Sequence, residues 1–402
     1  MAIYSFAYSL PYILVFLIIF LHFIPVGTST DNFDKKLYYI KHYLVIILLI
    51  VFIGLRGYIH SDWESYTEYF KRVPSLIEGA DNVSHYLTHS KRFEIGFELF
   101  SIICKTISSN YFVFQIINFL FDLYFICLTI KYYFNKRYSL FFLATFLTFY
   151  GYAIEINIIR NSKAIVLFLY SIRYVHTRSI IKYMFINVLG CMFHISGIIY
   201  LPIYFLIKRQ YNKNILIVLY LIGNVLYLLQ VPVFTTILEN VVGIFSSKAY
   251  IYVKLINYMN SDFYISKGLS FGYIEKLITS ILVLKYEKKI VNTDNRYIPF
   301  FNLVHIFLLI YLYCSDFILI VERIGTLFIC SLWVIYPAIY RKMSTNRKTI
   351  FFIYNIFLGC ARIYAGNSSI GAKYTICFNS DSEVAKKNLL DEASYGKRRG
   401  DL

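Results

Sequence analysis

Charged residues are scarce in this chain: they make up 16% of its 402 positions, whereas soluble domains usually carry about 25%. The shortage is concentrated, since residues 2–26 and 183–206 contain no Asp, Glu, Lys or Arg. Each run exceeds the roughly 20 residues that a helix needs to cross a bilayer's hydrocarbon core. The sequence therefore excludes a soluble protein of two or three domains and predicts a polytopic membrane protein.

Cysteine patterns that mark a disulfide framework or a zinc site are absent from the sequence. The seven cysteines are odd in number and scattered, mostly inside apolar runs, and no two are spaced as C-x-x-C. They are Cys104, Cys127, Cys191, Cys314, Cys330, Cys360 and Cys377. We interpret them as small buried apolar side chains, and the sequence predicts neither a metal site nor a cofactor.

Acidic residues are few: 23 Asp and Glu stand against 40 Lys and Arg, which gives a net charge of +17. In a soluble chain this excess would suggest nucleic acid binding. Here the basic residues lie in short tracts beside apolar runs, as at 131–137 and 341–348, which is the pattern of the positive-inside bias. The sequence therefore excludes nucleic acid as a partner and predicts the lipid bilayer instead.

The same basic tracts predict an orientation. With most of them in the cytoplasm, the N-terminus and the hydrophilic stretches 56–92 and 231–270 lie on the outer side. The basic loop 208–213 breaks the alternation, and two explanations stay open. Either the run 183–206 is a broken pair of half-helices that re-enters and returns to the cytoplasm, or the loop is a cationic outer patch that faces an anionic ligand.

Apolar runs along the chain predict an all-α integral membrane bundle of about 10–12 transmembrane helices. Residues 97–107 form a shorter run, interrupted by Lys105, which favours an interfacial or re-entrant segment. We expect one membrane domain over residues 1–365 and a polar C-terminal tail over 366–402. The candidate spans are Ile3–Val26, Tyr38–Leu55, Tyr111–Tyr133, Tyr138–Ile154, Ile159–Val175, Tyr183–Leu206, Asn214–Gln230, Phe271–Lys285, Tyr297–Tyr313, Phe317–Tyr340 and Thr349–Ala365.

Ionisable side chains at bilayer depth cost at least about 2.5–3.5 kcal/mol each, so they are candidates for function. Four groups stand at the ends or in the middle of apolar runs. They are Arg56 with Asp62, Trp63, Tyr66 and Glu94; Arg160 with Asn161 and Lys163; His194 with Ser196; and Glu322 with Arg323. If a helix begins at Asp62, then Asp62, Tyr66 and Phe70 share one face. Arg160 and Lys163 enter a span together, and two cations at a helix N-terminus suit an anion.

Each group also has a structural explanation. Intramembrane histidines such as His194 often hydrogen-bond between helices. Glu322 and Arg323 would neutralise each other, although neighbours on a helix diverge by roughly 100°. Arg160 would snorkel to headgroups, and Arg56 would cap a helix end. The sequence leaves these alternatives open for each residue, while their shared position in the outer half of the bundle favours a common site.

In order and spacing these groups resemble the EpsG family of membrane polysaccharide polymerases, relatives of the Wzy O-antigen and capsule polymerases. The resemblance spans residues 40–375. Its elements are Leu55-Arg56-Gly57, Ser61-Asp62-Trp63-xx-Tyr66-xxx-Phe70, Phe93-Glu94-Ile95-Gly96-Phe97, Asn157 with Arg160-Asn161 and Lys163-Ala164, Phe193-His194-x-Ser196 with Pro202, Glu322-Arg323, and Lys373-Tyr374. The family commonly has Gly-Thr-Asp in place of His60-Ser61-Asp62, Glu-Pro-Gly in place of Glu94-Ile95-Gly96, and Arg-Gln in place of Arg160-Asn161.

The resemblance implies a GT-C-like glycosyltransferase that works without a metal at the outer face of the bacterial cytoplasmic (inner) membrane. Such enzymes transfer a growing O-antigen, capsular or exopolysaccharide chain from undecaprenyl pyrophosphate to another lipid-linked repeat unit. The lipid pyrophosphate is the leaving group, and no nucleotide sugar is used. The implied partners are undecaprenyl-pyrophosphate-linked glycans, together with a chain-length regulator and a flippase of the same pathway.

The chemistry of a lipid pyrophosphate favours guanidinium groups, which are permanently charged and bind phosphate in a bidentate way. Arg160, Arg323 and Arg56 are therefore the candidate binders, with Lys163 assisting. The same cations would stabilise charge that develops on the departing pyrophosphate.

The acceptor hydroxyl needs a base near neutral pH, and His194 is the first candidate. Asp62 or Glu94 would replace it, or would orient the sugar by hydrogen bonds. The other predicted substrate-binding residues are Trp63, Tyr66, Glu322 and Tyr374, of which Trp63 and Tyr66 would stack on sugar rings.

Two other functions compete with polymerisation. A lipid-linked oligosaccharide flippase or transporter would also have many spans and buried arginines, but it should show internal pseudosymmetry and charges along a whole pathway. A membrane-bound O-acyltransferase would use an intramembrane histidine, but it would not need a group of arginines. A passive scaffold would have little reason to bury His194 and Arg323.

Overall fold

A computed structural model describes residues 3–23, 32–89, 92–244, 268–378 and part of 383–391. These residues form 19 α-helices and no strand, with two isolated bridges, Tyr4 to Ser369 and Arg56 to Ile376. The predicted all-α polytopic fold is thus confirmed. Much of the hydrophilic stretch 231–270 and the end of the tail lie outside the described residues.

The chain divides into two compact units. Unit 1 comprises Met1–Pro202 with Met343–Leu402, and unit 2 comprises Ile203–Lys342. The helices that begin in unit 1 are α1 Phe6–Phe23, α2 Asn32–Leu49, α3 Asp62–Arg72, α4 Ala80–His89, α5 Ile95–Ile107, α6 Tyr111–Tyr133, α7 Lys136–Thr148, α8 Gly151–Ile156, α9 Ile159–Ser171, α10 Arg173–His176, α11 Ile180–Phe193, α12 Tyr200–Ile207 and, after unit 2, α19 Thr345–Asn367. Those of unit 2 are α13 Lys213–Leu228, α14 Val233–Ile244, α15 Phe271–Val291, α16 Ile298–Tyr313, α17 Ile318–Phe328 and α18 Cys330–Lys342.

Within the described residues four helices are long and apolar enough to cross a membrane, and a fifth span results if a bent pair counts as one. The four are Phe6–Phe23, Tyr111–Tyr133, Asn295–Tyr313 and Thr345–Asn367, and the pair is Val321–Phe328 with Cys330–Lys342, bent by 52°. The other predicted spans are divided into shorter helices. One break lies at Tyr150, whose φ of 66° is left-handed, and another lies at Ile158, outside helical geometry (φ −104°, ψ 47°). Because of these interruptions, fewer single helices reach the length of a membrane span than the 10–12 spans predicted.

The run 183–206 is broken at His194, which has an extended backbone with φ −156° and ψ 127°. The chain then doubles back along α11, because the Tyr183 hydroxyl donates to the Tyr200 carbonyl at 2.6 Å. A Cβ at Gly197 would lie 3.1 Å from the Cys191 nitrogen, so only glycine fits this reversal without displacing its neighbours. This geometry favours the re-entrant alternative, and non-helical backbone at membrane depth occurs where protein or a cavity surrounds it.

The beginning of the predicted polar tail is part of unit 1 and packs near its first two helices. The Gly57 N–H donates to the Thr375 carbonyl at 2.7 Å, and the Cys377 N–H donates to Leu55 at 2.9 Å. The Ile370 N–H donates to the Ile3 carbonyl at 2.8 Å. The tail thus supplies partners for backbone groups that the ends of α1 and α2 leave unsatisfied.

Unit 2 has a buried polar network of its own. The His305 ring lies 2.7 Å from the Tyr220 hydroxyl through Nδ1 and 3.1 Å from a Glu287 oxygen through Nε2. Gln210 donates to the other Glu287 oxygen at 3.1 Å. Buried polar groups that are satisfied in this way fix the packing of the helices that carry them.

Candidate functional site

Three separate parts of unit 1 meet where the chain leaves regular helix. Glu94 immediately precedes α5, Arg160 is the second residue of α9, and His194 is the break after α11. Helix starts expose backbone N–H groups, and the end of α11 exposes carbonyl groups. The meeting point is therefore rich in polar groups on otherwise apolar elements. We call it the Glu94–Arg160 site; it also includes Tyr66, Phe93, Asn161 and Ser196.

The central contact is an ion pair, in which an Arg160 NH1 donates to Glu94 Oε2 at 2.6 Å. The two side chains remain 22% and 21% exposed, so a ligand can reach them. The guanidinium lies over the Phe93 ring, 4.1 Å from its centroid, and close to the Tyr66 hydroxyl. Its buried Nε has no hydrogen-bond partner among the described residues. Arg160 therefore has donor capacity beyond the contact with Glu94.

The re-entrant tip provides the other side of the site. Glu94 Oε1 accepts a hydrogen bond from the Ile195 N–H at 3.1 Å. His194 Nδ1 accepts from the Ser196 N–H at 3.2 Å and lies 2.7 Å from the Ser196 hydroxyl. That hydroxyl donates to Asn161 Oδ1 at 2.9 Å. The tip is thereby fixed against the start of α9.

A glycine allows this close approach. A Cβ at Gly96 would lie 2.7 Å from both the Cβ and the carbonyl oxygen of Met192, a distance that real contacts essentially never show. Gly96 thus brings the start of α5 against the end of α11, and Glu94 beside Ile195. The Glu94-x-Gly96 element of the sequence therefore has a steric explanation.

Charge at the site favours the ionised form of Glu94. Burial raises the pKa of this carboxyl, but hydrogen bonds from the Ile195 N–H and its own N–H, followed by the positive charge of Arg160, lower the pKa more. The net pKa lies below the usual value for glutamate. In this arrangement Glu94 is an anion held by a cation.

Lys163 lies one helical turn beyond Arg160 but points into the bundle. Its side chain is fully buried and forms an ion pair with Asp122 at 3.0 Å, and its Nζ also donates to the Asn118 carbonyl at 3.2 Å. Glu155 lies within hydrogen-bonding range of Asp122. The Lys163 ammonium is therefore already paired with a buried carboxylate, whereas its predicted role is to bind an anionic ligand.

Sequence reasoning did not select Asp122 and Glu155. The signal was present, because Asp122 is a carboxylate inside the apolar run Tyr111–Tyr133 and Glu155 follows the run Tyr138–Ile154. Glu287 and His305 in unit 2 were missed in the same way. Their partners lie far apart in sequence, and this separation hid the pairs.

Arg56 and Tyr374 belong to a second, buried cluster in unit 1. Arg56 follows a π-helical turn, Ile50–Gly54, and donates to the Ile53 carbonyl at 2.7 Å. Tyr374 stacks on Phe52 with centroids 4.2 Å apart and donates to the Phe52 carbonyl at 2.8 Å. The bond to Ile53 is a contact at a helix end, which agrees with the capping alternative for Arg56. Arg56 is only 4% exposed, so a ligand has little access to it here.

Asp62 and Trp63 lie at the start of α3. The helix begins at Asp62, which meets the condition under which Asp62, Tyr66 and Phe70 share one face, and Ser61 donates to the Asp62 carboxylate at 3.1 Å. Trp63 is 3% exposed, and its indole N–H donates to the His60 carbonyl at 3.1 Å. The predicted stacking of a sugar on Trp63 would require this residue to become exposed, and the same holds for Tyr66, which is 6% exposed although its hydroxyl contacts Arg160.

Glu322 and Arg323 lie on α17 in unit 2, and both are exposed. Among the described residues they form no ion pair with each other, so the self-neutralising alternative is not observed. Their predicted roles stay predictions. No group of three or more His, Cys, Asp or Glu that would hold a metal ion occurs in the described part of the chain.

The chain was compared with known proteins. A model of the EpsG family matches residues 36–371, whereas no curated protein and no solved structure gives a significant match. The matched region contains the whole Glu94–Arg160 site and Arg323, and it covers most of the chain. The chain therefore belongs to the EpsG family, which implies the role of a glycosyltransferase-like polysaccharide polymerase.

Proposed function

We propose that this protein joins undecaprenyl-pyrophosphate-linked oligosaccharide repeat units into a surface polysaccharide at the outer face of the cytoplasmic membrane. The observation that carries the proposal is the Glu94–Arg160 site, where an accessible arginine, a carboxylate and an imidazole converge on a re-entrant tip. A flippase and a chain-length regulator would act beside it in the same pathway.

The donor's pyrophosphate would bind at Arg160. Guanidinium groups bind phosphate oxygens through parallel N–H donors, and Arg160 lies at the N-terminus of α9, where the helix dipole also favours an anion. Phe93 holds the plane of the guanidinium. A cation fixed in this way would stabilise the negative charge that grows on the leaving pyrophosphate.

The acceptor hydroxyl would lose its proton to a group of the same site. His194 and Glu94 are the two candidate bases of the site, and each is oriented by hydrogen bonds to neighbouring backbone or side chains. Arg323, on α17 of unit 2, stays a predicted cation, whereas Arg56 would have to become exposed before it could contact a lipid pyrophosphate. We propose that no metal takes part, so activity should survive EDTA; loss of activity that Mg²⁺ or Mn²⁺ restores would contradict this.

The length of the surface glycan tests the function. In a deletion strain complemented with wild type, Arg160→Ala or Arg173→Ala at matched membrane levels, the glycan is separated on a gel. Arg173 is the control, because it also lies over aromatic rings in unit 1 but outside the site. The proposal predicts a ladder for wild type and Arg173→Ala and a single repeat for the deletion and Arg160→Ala. Loss of even the single repeat would indicate a flippase.

A further inference from the structure

We infer that Glu94 is the general base of the transfer and that Arg160 masks it until the donor's pyrophosphate takes its place. This inference rests on the proposed function. It goes further by assigning the proton acceptor and by coupling its release to the binding of the donor.

Both oxygens of Glu94 are occupied in this structure. Oε2 accepts from Arg160 and Oε1 accepts from the Ile195 N–H. A carboxylate that is paired in this way is a poor base, because hydrogen bonds from the Ile195 N–H and its own N–H, and then the charge of Arg160, lower its pKa more than burial raises it. Once an anion binds Arg160, the attraction on Glu94 is reduced and its pKa rises toward the range in which a carboxylate accepts a proton efficiently.

Glu94 is the partner that can move. The Arg160 guanidinium rests on the Phe93 ring, which holds the cation in place when its partner changes. The Glu94 side chain, in contrast, makes no capping bond to α5, and it can turn Oε2 away from Arg160 while Oε1 keeps its bond to the Ile195 N–H. An arriving pyrophosphate would therefore exchange with the carboxylate at a cation that is already positioned.

His194 is less suited to the base role in the tautomer that accepts the Ser196 N–H. In that tautomer Nδ1, which lies 3.2 Å from the Ser196 nitrogen, carries a lone pair. A neutral imidazole with this tautomer carries its proton on Nε2. His194 would then donate a hydrogen bond to the donor glycan or to its pyrophosphate rather than remove a proton.

The step balances with the groups named. The acceptor hydroxyl gives its proton to the Glu94 carboxylate while its oxygen forms a bond to the anomeric carbon of the donor sugar. The bond from that carbon to the pyrophosphate oxygen breaks, and its electron pair stays on the pyrophosphate beside Arg160. Glu94 then returns its proton to water or to the departing pyrophosphate.

The exchange predicts that Glu94→Gln separates binding from turnover. Glutamine has the same shape but no charge, so it competes less for Arg160. A partly exposed ion pair such as this one contributes about 1 kcal/mol, so inorganic pyrophosphate should bind this variant on the order of fivefold more tightly than wild type. Polymerisation should nevertheless fall to background, because the amide accepts no proton. A purely structural role for Glu94 would weaken both.

Two measurements on the full-length protein in lipid nanodiscs test this inference: calorimetric titration with inorganic pyrophosphate, and repeat-unit polymerisation in membranes. Glu94→Asp should retain partial activity. Glu78→Gln is the control, because Glu78 is an exposed carboxylate of the same unit. Wild-type polymerisation by Glu94→Gln, or weaker pyrophosphate binding to it, would overturn the inference. If Arg160→Ala bound pyrophosphate as wild type does and kept its ladder, the proposed function would fail instead.

Discussion

Lys163 and Asp122 allow a test that distinguishes a structural cation from a ligand-binding one. Both side chains are fully buried and their charged atoms lie 3.0 Å apart. Removing one partner of a buried ion pair costs about 3–5 kcal/mol, because the remaining charge has no counterion. Lys163→Met and Asp122→Asn should each destabilise unit 1 by this amount. The double variant should recover most of the loss, since neither charge then remains unpaired.

In the assay each variant is heated in mild detergent, and size-exclusion chromatography then measures the fraction that stays monodisperse. The glycan ladder of each variant is run in parallel. Lys131→Met is the control, because Lys131 is an exposed lysine at the end of α6 and should change stability by less than about 0.5 kcal/mol. We expect both single variants to aggregate earlier than wild type and the double variant to be stable with a ladder. A stable Lys163→Met protein without a ladder would refute this reasoning and restore Lys163 as a substrate contact.

Three further variants test the geometry of unit 1. Gly96→Ala should shorten the ladder strongly, since its Cβ has no room, whereas Gly366→Ala, with nothing within 4 Å of its Cβ, should not; equal ladders would contradict the steric argument. Ser196→Ala should lower polymerisation by about fivefold at unchanged protein level, because it removes the hydroxyl that bonds Asn161 beside His194 and so about 1 kcal/mol of positioning; full activity would show that the tip needs no such bond. Tyr374→Phe should cost about 0.5–1.5 kcal/mol of stability by loss of its hydrogen bond, with the ladder kept; a lost ladder in folded protein would place Tyr374 at the substrate.

The sequence was most informative where a physical rule acts locally. Uncharged runs identified the membrane bundle, and the helix Tyr111–Tyr133 begins and ends where the prediction placed it. The basic loop 208–213 left two explanations open, one of which was a break in the run before it, and the structure has a break at His194. Glu94, Arg160 and His194 were each selected as costly polar residues, and the structure brings all three together.

Ion pairs between distant residues and the burial of individual side chains could not be predicted from local sequence rules. Lys163 was grouped with Arg160 because both lie in the first turns of the same helix. Successive turns of a packed helix can face different surroundings, so Arg160 can face a ligand while Lys163 faces a buried carboxylate. That carboxylate belongs to Asp122, which is 41 positions away in the sequence. Trp63 follows an acidic residue in a polar stretch, yet packing against Tyr58 buries it. Contacts over such separations depend on the assembled bundle and leave no periodic pattern in the sequence.

The central claim is that Arg160 receives a lipid pyrophosphate as the leaving group of a glycosyl transfer. The most direct measurement uses purified protein in nanodiscs with lipid-linked repeat units and counts the undecaprenyl pyrophosphate released for each glycosidic bond formed. We predict one molecule released per bond for wild type and for Arg173→Ala, and neither release nor bond formation for Arg160→Ala. Bond formation without release of lipid pyrophosphate, or an unchanged rate in folded Arg160→Ala protein, would contradict it.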